Sequence, residues 1–119
     1  LIESKNIVDA YKIYKKKKWD FVFAASKFYY PIQRAVFQKK NQSIKMYNEK
    51  NYNKRSQDLI PSYHDAGQFC WGRANAWISK KKIFSSKTTI FKLDKFSSHD
   101  IDNLEDWEIC EKLYKIKFK

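Results

Sequence analysis

Glycine is nearly absent: the 119 residues hold two, Gly67 and Gly72. No glycine-rich phosphate loop of a known pattern can be built from them. Cysteine is equally scarce. Cys70 and Cys110 lie far apart, without CxxC spacing and each among apolar residues, so free thiols in a reducing compartment are expected. A zinc site from Cys70, Cys110, His64 and His99 would need four isolated residues to converge, without the paired spacing such sites show. Among 25 basic residues only Arg34, Arg55 and Arg73 are arginine. Nucleic-acid readers lean on arginine for bidentate contacts. The formal charge of +12 therefore reads mainly as solvated lysine surface, with nonspecific polyanion binding open and no specific nucleic-acid partner expected. No apolar run is long enough to cross a bilayer, and the opening LIESKNIVDAY is too short and charged for a signal peptide. The expectation is a cytoplasmic protein with no membrane partner. The one methionine is Met46 and the chain opens on Leu1, which reads as a piece of a longer or processed polypeptide.

What is present suits a packed α/β domain, or part of one. Apolar residues make up 43% and aromatics 18%, ample for a core. Ile7, Val8, Tyr11 and Tyr14 recur at helical spacing, predicting a helix over Ser4–Lys17 with Ser4 as N-cap. Asp20–Ala25 is apolar on both faces, as a central strand of a covered sheet would be. Helix then buried strand is half of a βαβ unit, so a parallel or mixed sheet is expected. Ala35–Gln38 and Ile44–Tyr47 flank the turn-like Lys39–Ser43 and predict a small hairpin. Further strands are expected at Gly67–Trp71 and Thr88–Leu93, and a short helix at Ala74–Lys80 with Trp77 inward. Phe96–Ile101 reads as a loop. Leu104–Lys117 is the clearest helix, with Leu104, Trp107, Cys110, Leu113 and Tyr114 on one face.

Two stretches carry possible chemistry. Arg55–Gly72, RSQDLIPSYHDAGQFCWG, reads as a polar loop running into a buried strand, with cation, amide, carboxylate, phenol and imidazole close together. His64 and Asp65 either bind a ligand or make local turn hydrogen bonds. A Ser62–His64–Asp65 triad is a poor reading, because near neighbours rarely point the right way and no strained nucleophile turn surrounds Ser62. The second stretch is HDIDNLEDW, His99–Trp107. If Asp100–Ile101–Asp102 is extended, alternation puts both carboxylates on one side, a donor pair suited to Mg²⁺. Alternatively Asp102 or Asn103 caps the last helix, with Glu105 or Asp106 at the third helical position. Gln33 and Arg34, the polar pair of PIQRA, follow the first strand, where open sheets bind ligands; a loop with two exposed polar side chains is the alternative.

Together RSQDLIPSYHDAGQFCWG, PIQRA and HDIDNLEDWEICEKLY resemble the C-terminal half of the sugar-acid (acylneuraminate) cytidylyltransferase family, in its order and spacing over nearly the whole chain. YHDAGQF matches the branch acting on pseudaminic acid, since sialic acid members tend to carry an asparagine–glycine pair there. Cys70, where relatives often have tyrosine, and Asn103, where they usually have threonine, are departures. The resemblance implies the C-terminal part of a mixed-sheet, Rossmann-like nucleotide-diphospho-sugar transferase domain, with a dimerisation hairpin around residues 36–55. It implies transfer of CMP from CTP to a nine-carbon sugar acid, with release of pyrophosphate and a Mg²⁺ requirement. Asp100 and Asp102 match the metal-binding acid pair, and Gln33 and Arg34 the segment near the sugar. Arg55, Gln57, Tyr63, His64, Asp65 and Gln68 lie in the loop and strand that shape the sugar pocket. A sialic acid enzyme and a noncatalytic oligomerisation module are the alternatives. The family's Arg- and Lys-containing loop that grips the CTP phosphates is missing. The chain alone is therefore expected neither to fold stably nor to catalyse, a central strand edge being left unpaired.

Overall fold

The computed structural model describes residues 1–118. The chain packs as two compact units, residues 1–26 with 65 onward, and residues 27–64.

The first unit is built on a three-stranded sheet in the order β4-β1-β5. Its strands are β1 (Phe21–Lys27), β4 (Tyr63–Gly72) and β5 (Thr88–Lys92). β1 and β5 run parallel, from Phe21 opposite Thr88 to Ala25 opposite Lys92. β4 runs the other way: just past its C-terminal end, the Arg73 N–H donates to Asp20 C=O at 2.9 Å, at the start of β1. The sheet is thus mixed, as expected. Phe21 to Ala25 are all buried, because a strand paired on both edges and covered on both faces has no side left for polar residues. Helix α1 (Ser4–Lys16) contributes Ala10 to the core. Trp71 of β4 ties it down: the indole N–H donates to Ile7 C=O at 2.9 Å, and its ring meets Tyr11 at 4.8 Å. The N-cap of α1 is Glu3, without a side-chain cap, and not Ser4. Lys15 and Lys16 end the helix, where cations suit the exposed carbonyls.

The short helix α2 (Ala74–Ile78) buries Ala76, not Trp77. Trp77 is 48% exposed, with one edge of its indole against Phe21 at 4.8 Å. That contact fixes Gly72, where a Cβ would run into both rings. Helix α3 (Leu104–Phe118) carries its apolar stripe largely in the open, with Leu104, Trp107 and Tyr114 all exposed.

The second unit holds a hairpin of β2 (Val36–Gln38) and β3 (Ile44–Met46), antiparallel with Val36 opposite Met46. Gln42, at φ 68°, turns the chain, and the Lys39 N–H to Ser43 C=O bond closes it at 2.8 Å. The rest is mainly irregular chain, with three single 3₁₀ turns at Ile32–Arg34, Glu49–Asn51 and Ser56–Asp58.

β4 begins four residues before the expected strand, so Tyr63–Ala66 are strand and not loop. The reason is Gly67. At φ +62° it makes a bulge that lets one strand pass through a polar stretch. β4 is an edge strand, so polar residues such as His64 and Asp65 can face solvent there.

Candidate active site

The acid pair lies between β5 and α3. Asn103 is the N-cap of α3: its Oδ1 accepts the Asp106 N–H at 2.9 Å. Asp106 reaches back, its carboxylate accepting the N–H groups of Asn103 and Asp102, each at 3.1 Å. This reciprocal cap satisfies orphan donors of the first turn. It employs Asp106 and leaves the carboxylates of Asp100 and Asp102 out, and both residues are exposed. No group of three or more His, Cys, Asp or Glu side chains gathers among the described residues. A cation here would draw on two carboxylates and complete its shell from water or a ligand. That donor set fits Mg²⁺, which takes one or two acids and keeps the rest of its octahedron for phosphate oxygens and water.

The same segment is anchored at its other end. Asp94 makes a tight turn, its carboxylate accepting the Phe96 N–H at 2.9 Å and the Ser97 hydroxyl at 2.5 Å. Ser97 is fully buried. Its carbonyl accepts from Gln68 Nε2 of β4, and its hydroxyl is also met by Lys117 Nζ from the end of α3. The Lys117 ammonium further pairs with Glu3 at 2.6 Å and Asp94 at 2.8 Å. Burial works against ionisation of Asp94, yet hydrogen bonds from Lys117 and Ser97 outweigh it and hold the carboxyl at about 2. Burial likewise opposes the Lys117 charge, and the two carboxylates overcome it, raising its pKa.

The remaining predicted residues divide between the units. Asp65 and Gln68 belong with the acid pair. Asp65 Oδ1 clasps the Gly67 N–H at 2.8 Å, a local bond that supports the bulge. Gln68 spends its amide N–H on Ser97, and its Oε1 is buried without a partner. Burial, then the Asp65 charge, pushes the Cys70 thiol up; both cysteines are free.

Gln33, Arg34, Arg55, Gln57, Tyr63 and His64 belong to residues 27–64. Gln33 Nε2 donates to Ile60 C=O at 2.7 Å and to Ser62 Oγ at 3.0 Å. It thereby ties the PIQR turn to the segment before β4. Gln57 lines a cleft of about 310 Å³ with Tyr29, Tyr30 and Ser62. Arg34 borders a broader, more apolar hollow of about 620 Å³. His64 packs on Phe28, ring centres 5.0 Å apart. Tyr63 is half-buried, and Arg55 is exposed ahead of its 3₁₀ turn.

Asp94, Ser97 and Lys117 were not singled out by sequence reasoning. Asp94–Lys–Phe–Ser97 is a turn signature that could have been read. Lys117 had no local signal, since its partners lie 20 or more residues away.

No family model matches the chain. Curated relatives do. Two pseudaminic acid cytidylyltransferases of Campylobacter jejuni subsp. jejuni align with it. The protein from strain 81-176 is 41% identical over 95% of this chain and 49% of its own length. That from strain NCTC 11168 is 39% identical over 98% of this chain and 50% of its own length. The chain is homologous to about half of a pseudaminic acid cytidylyltransferase. A third relative, from Helicobacter pylori, is named pseudaminic acid cytidylyltransferase and UDP-2,4-diacetamido-2,4,6-trideoxy-beta-L-altropyranose hydrolase. It is 30% identical over 93% of this chain and 21% of its own length. The chain thus spans about half the length of the first two relatives, as the resemblance implied. Among the described residues no helix is long and apolar enough to cross a membrane.

Proposed function

We propose that the chain is the C-terminal half of a Rossmann-like cytidylyltransferase domain that transfers CMP from CTP to pseudaminic acid and releases pyrophosphate. What carries the reading is 41% identity to a named relative across 95% of the chain, together with an acid pair not used by its neighbouring helix cap. A nucleotide triphosphate substrate places the enzyme in the cytoplasm, and the hairpin of residues 36–55 is assigned to a homodimer contact.

In this reading Asp100 and Asp102 hold Mg²⁺. When bound, the metal would offset negative charge on the triphosphate and on the departing pyrophosphate. Asp106 keeps α3 capped, so the pair need not serve two roles. Gln33, Gln57 and Ser62, with Arg34 and Arg55, offer amides, a hydroxyl and guanidinium groups suited to a polyhydroxylated, anionic sugar. Tyr63 and His64, at the start of β4, border that site, and Asp65 and Gln68 continue the same strand.

The test uses the complete enzyme. Asp100→Asn and Asp102→Asn should each cut Mg²⁺-dependent pyrophosphate release by two or more orders of magnitude, with the circular dichroism spectrum unchanged. Wild-type rates in both variants would remove the assignment. Faster turnover of sialic than of pseudaminic acid by the wild type would replace the substrate.

A further inference from the structure

The segment bearing the acid pair is short and pinned at both ends. Ser97 fixes one end, through Asp94, Gln68 and Lys117. Asn103 and Asp106 fix the other. Few residues lie between, and a chain can stray only as far as its extended length allows. Asp100 and Asp102 are therefore located by what holds Ser97 and Asn103.

The Ser97 end is the less ordinary of the two. Lys117 sits near the end of the last helix, where lysines normally reach into water, yet its side chain is only 11% exposed. Its three donors are matched by three acceptors, Glu3, Asp94 and the Ser97 hydroxyl. Drawing an ammonium onto two carboxylates carries a desolvation penalty that a hydrocarbon side chain would avoid. Such an arrangement supplies fixed geometry more than it supplies stability.

Resting on the cytidylyltransferase reading, we propose that Lys117, with Asp94 and Ser97, is a positioning device for Asp100 and Asp102 that sets their affinity for the divalent cation. Lys117 touches neither acid. It acts through Ser97, as groups behind metal ligands do when they orient them, and loss of such a group typically weakens metal binding about 10-fold to 100-fold.

Mn²⁺ binding to the complete enzyme, followed by electron paramagnetic resonance, reads this directly. Lys117→Met should weaken binding about tenfold and raise the Mg²⁺ concentration for half-maximal rate by a similar factor. The KM for the sugar acid should not move. Asp94→Asn should do the same, and the double variant should be little worse than either single one, because the groups act as a unit. Lys117→Arg, which keeps the charge and donors, should recover most of the affinity. Ser97→Ala makes the same test should Lys117→Met fail to fold. Unchanged Mn²⁺ affinity in Lys117→Met or Ser97→Ala, with only a lower melting temperature, would overturn the proposal and leave the enzyme assignment standing. A wild type that binds no Mn²⁺, or an Asp100→Asn variant that binds it as well as wild type, would overturn both the proposal and the assignment of the acid pair to the metal.

Discussion

Two regions of this chain are similarly rich in aromatic residues and fold on different terms. Residues 1–26 with 65 onward contain every buried apolar side chain of the described structure, from Ala10 through Phe21–Ala25 to Ala76 and Leu93. Residues 27–64 contain none. Their one buried residue is Asn51, while Tyr29, Tyr30, Val36, Ile44, Tyr47 and Tyr52 are exposed. The difference is one of pairing. β1 has a strand on each side, and burial follows from that. β2 and β3 are three residues each and pair only with one another, and an isolated two-stranded ribbon is marginal in water. What organises residues 27–64 is hydrogen bonding: Gln33 to Ile60 and Ser62, and Asn51 to Gln33 C=O. The dimer contact proposed for the hairpin would cover part of this exposed apolar surface.

The largest expected effect tests that contrast with one residue type. Phe21 is fully buried and Phe37 is 36% exposed, resting on Tyr47 at 4.9 Å. Phe21→Ala should destabilise the protein by about 3–5 kcal/mol, a deletion in a packed core. Phe37→Ala should cost about 1 kcal/mol, the worth of one aromatic pair. Urea unfolding midpoints of the two variants decide it. Equal losses would mean that residues 27–64 have a core of their own.

A smaller effect belongs to Asn51. Its Nδ2 donates to Gln33 C=O at 3.1 Å, so Asn51→Ala leaves a half-buried carbonyl unpaired, at about 1–2 kcal/mol. If the two units open separately, amide hydrogen exchange should quicken within residues 27–64 and stay unchanged in β1. Faster exchange in both would show one cooperative unit.

These contrasts also explain what the sequence could reveal. β1, β5, the hairpin and α3 were legible because each has its own local signal, an apolar run or a helical period. Ser4 misled as a cap because capping ability is common to many serines, and only backbone geometry shows that the helix starts one residue earlier. Trp77 misled because its size suggests burial, whereas α2 is short and presents Ala76 to the core. The polar start of β4 looked like a loop because the bulge that keeps it a strand depends on one glycine's φ. At the candidate site the spacing of Asp100 and Asp102 raised the acid pair, and the resemblance supplied the metal role now proposed for it. The choice of Asn103 as cap had no such signal, since Asp102 and Asn103 were both chemically able. Lys117 lay furthest from view: its partners Glu3, Asp94 and Ser97 come together only through the tertiary fold.

The smallest effect follows from that last group. Asp94 has a folded pKa of about 2 against an ordinary 3.8. A depressed carboxylate contributes stability above its unfolded value, and the contribution fades as pH falls through the folded one. Between about pH 4 and pH 2 the wild type should therefore lose stability that Asp94→Asn never had, and their melting temperatures should converge. Because the Asp94 side chain is 55% exposed, solvent screening keeps the difference below about 1 kcal/mol. Lys117 gives the opposite sign. Its raised pKa contributes stability at lower pH and loses it as pH climbs through the folded value. The convergence should appear in exchange from α3 and the segment after β5, which carry Lys117, Asp94 and Ser97, and not within residues 27–64. If residues 27–64 follow the same acid transition, the two regions are coupled and the contrast between them fails.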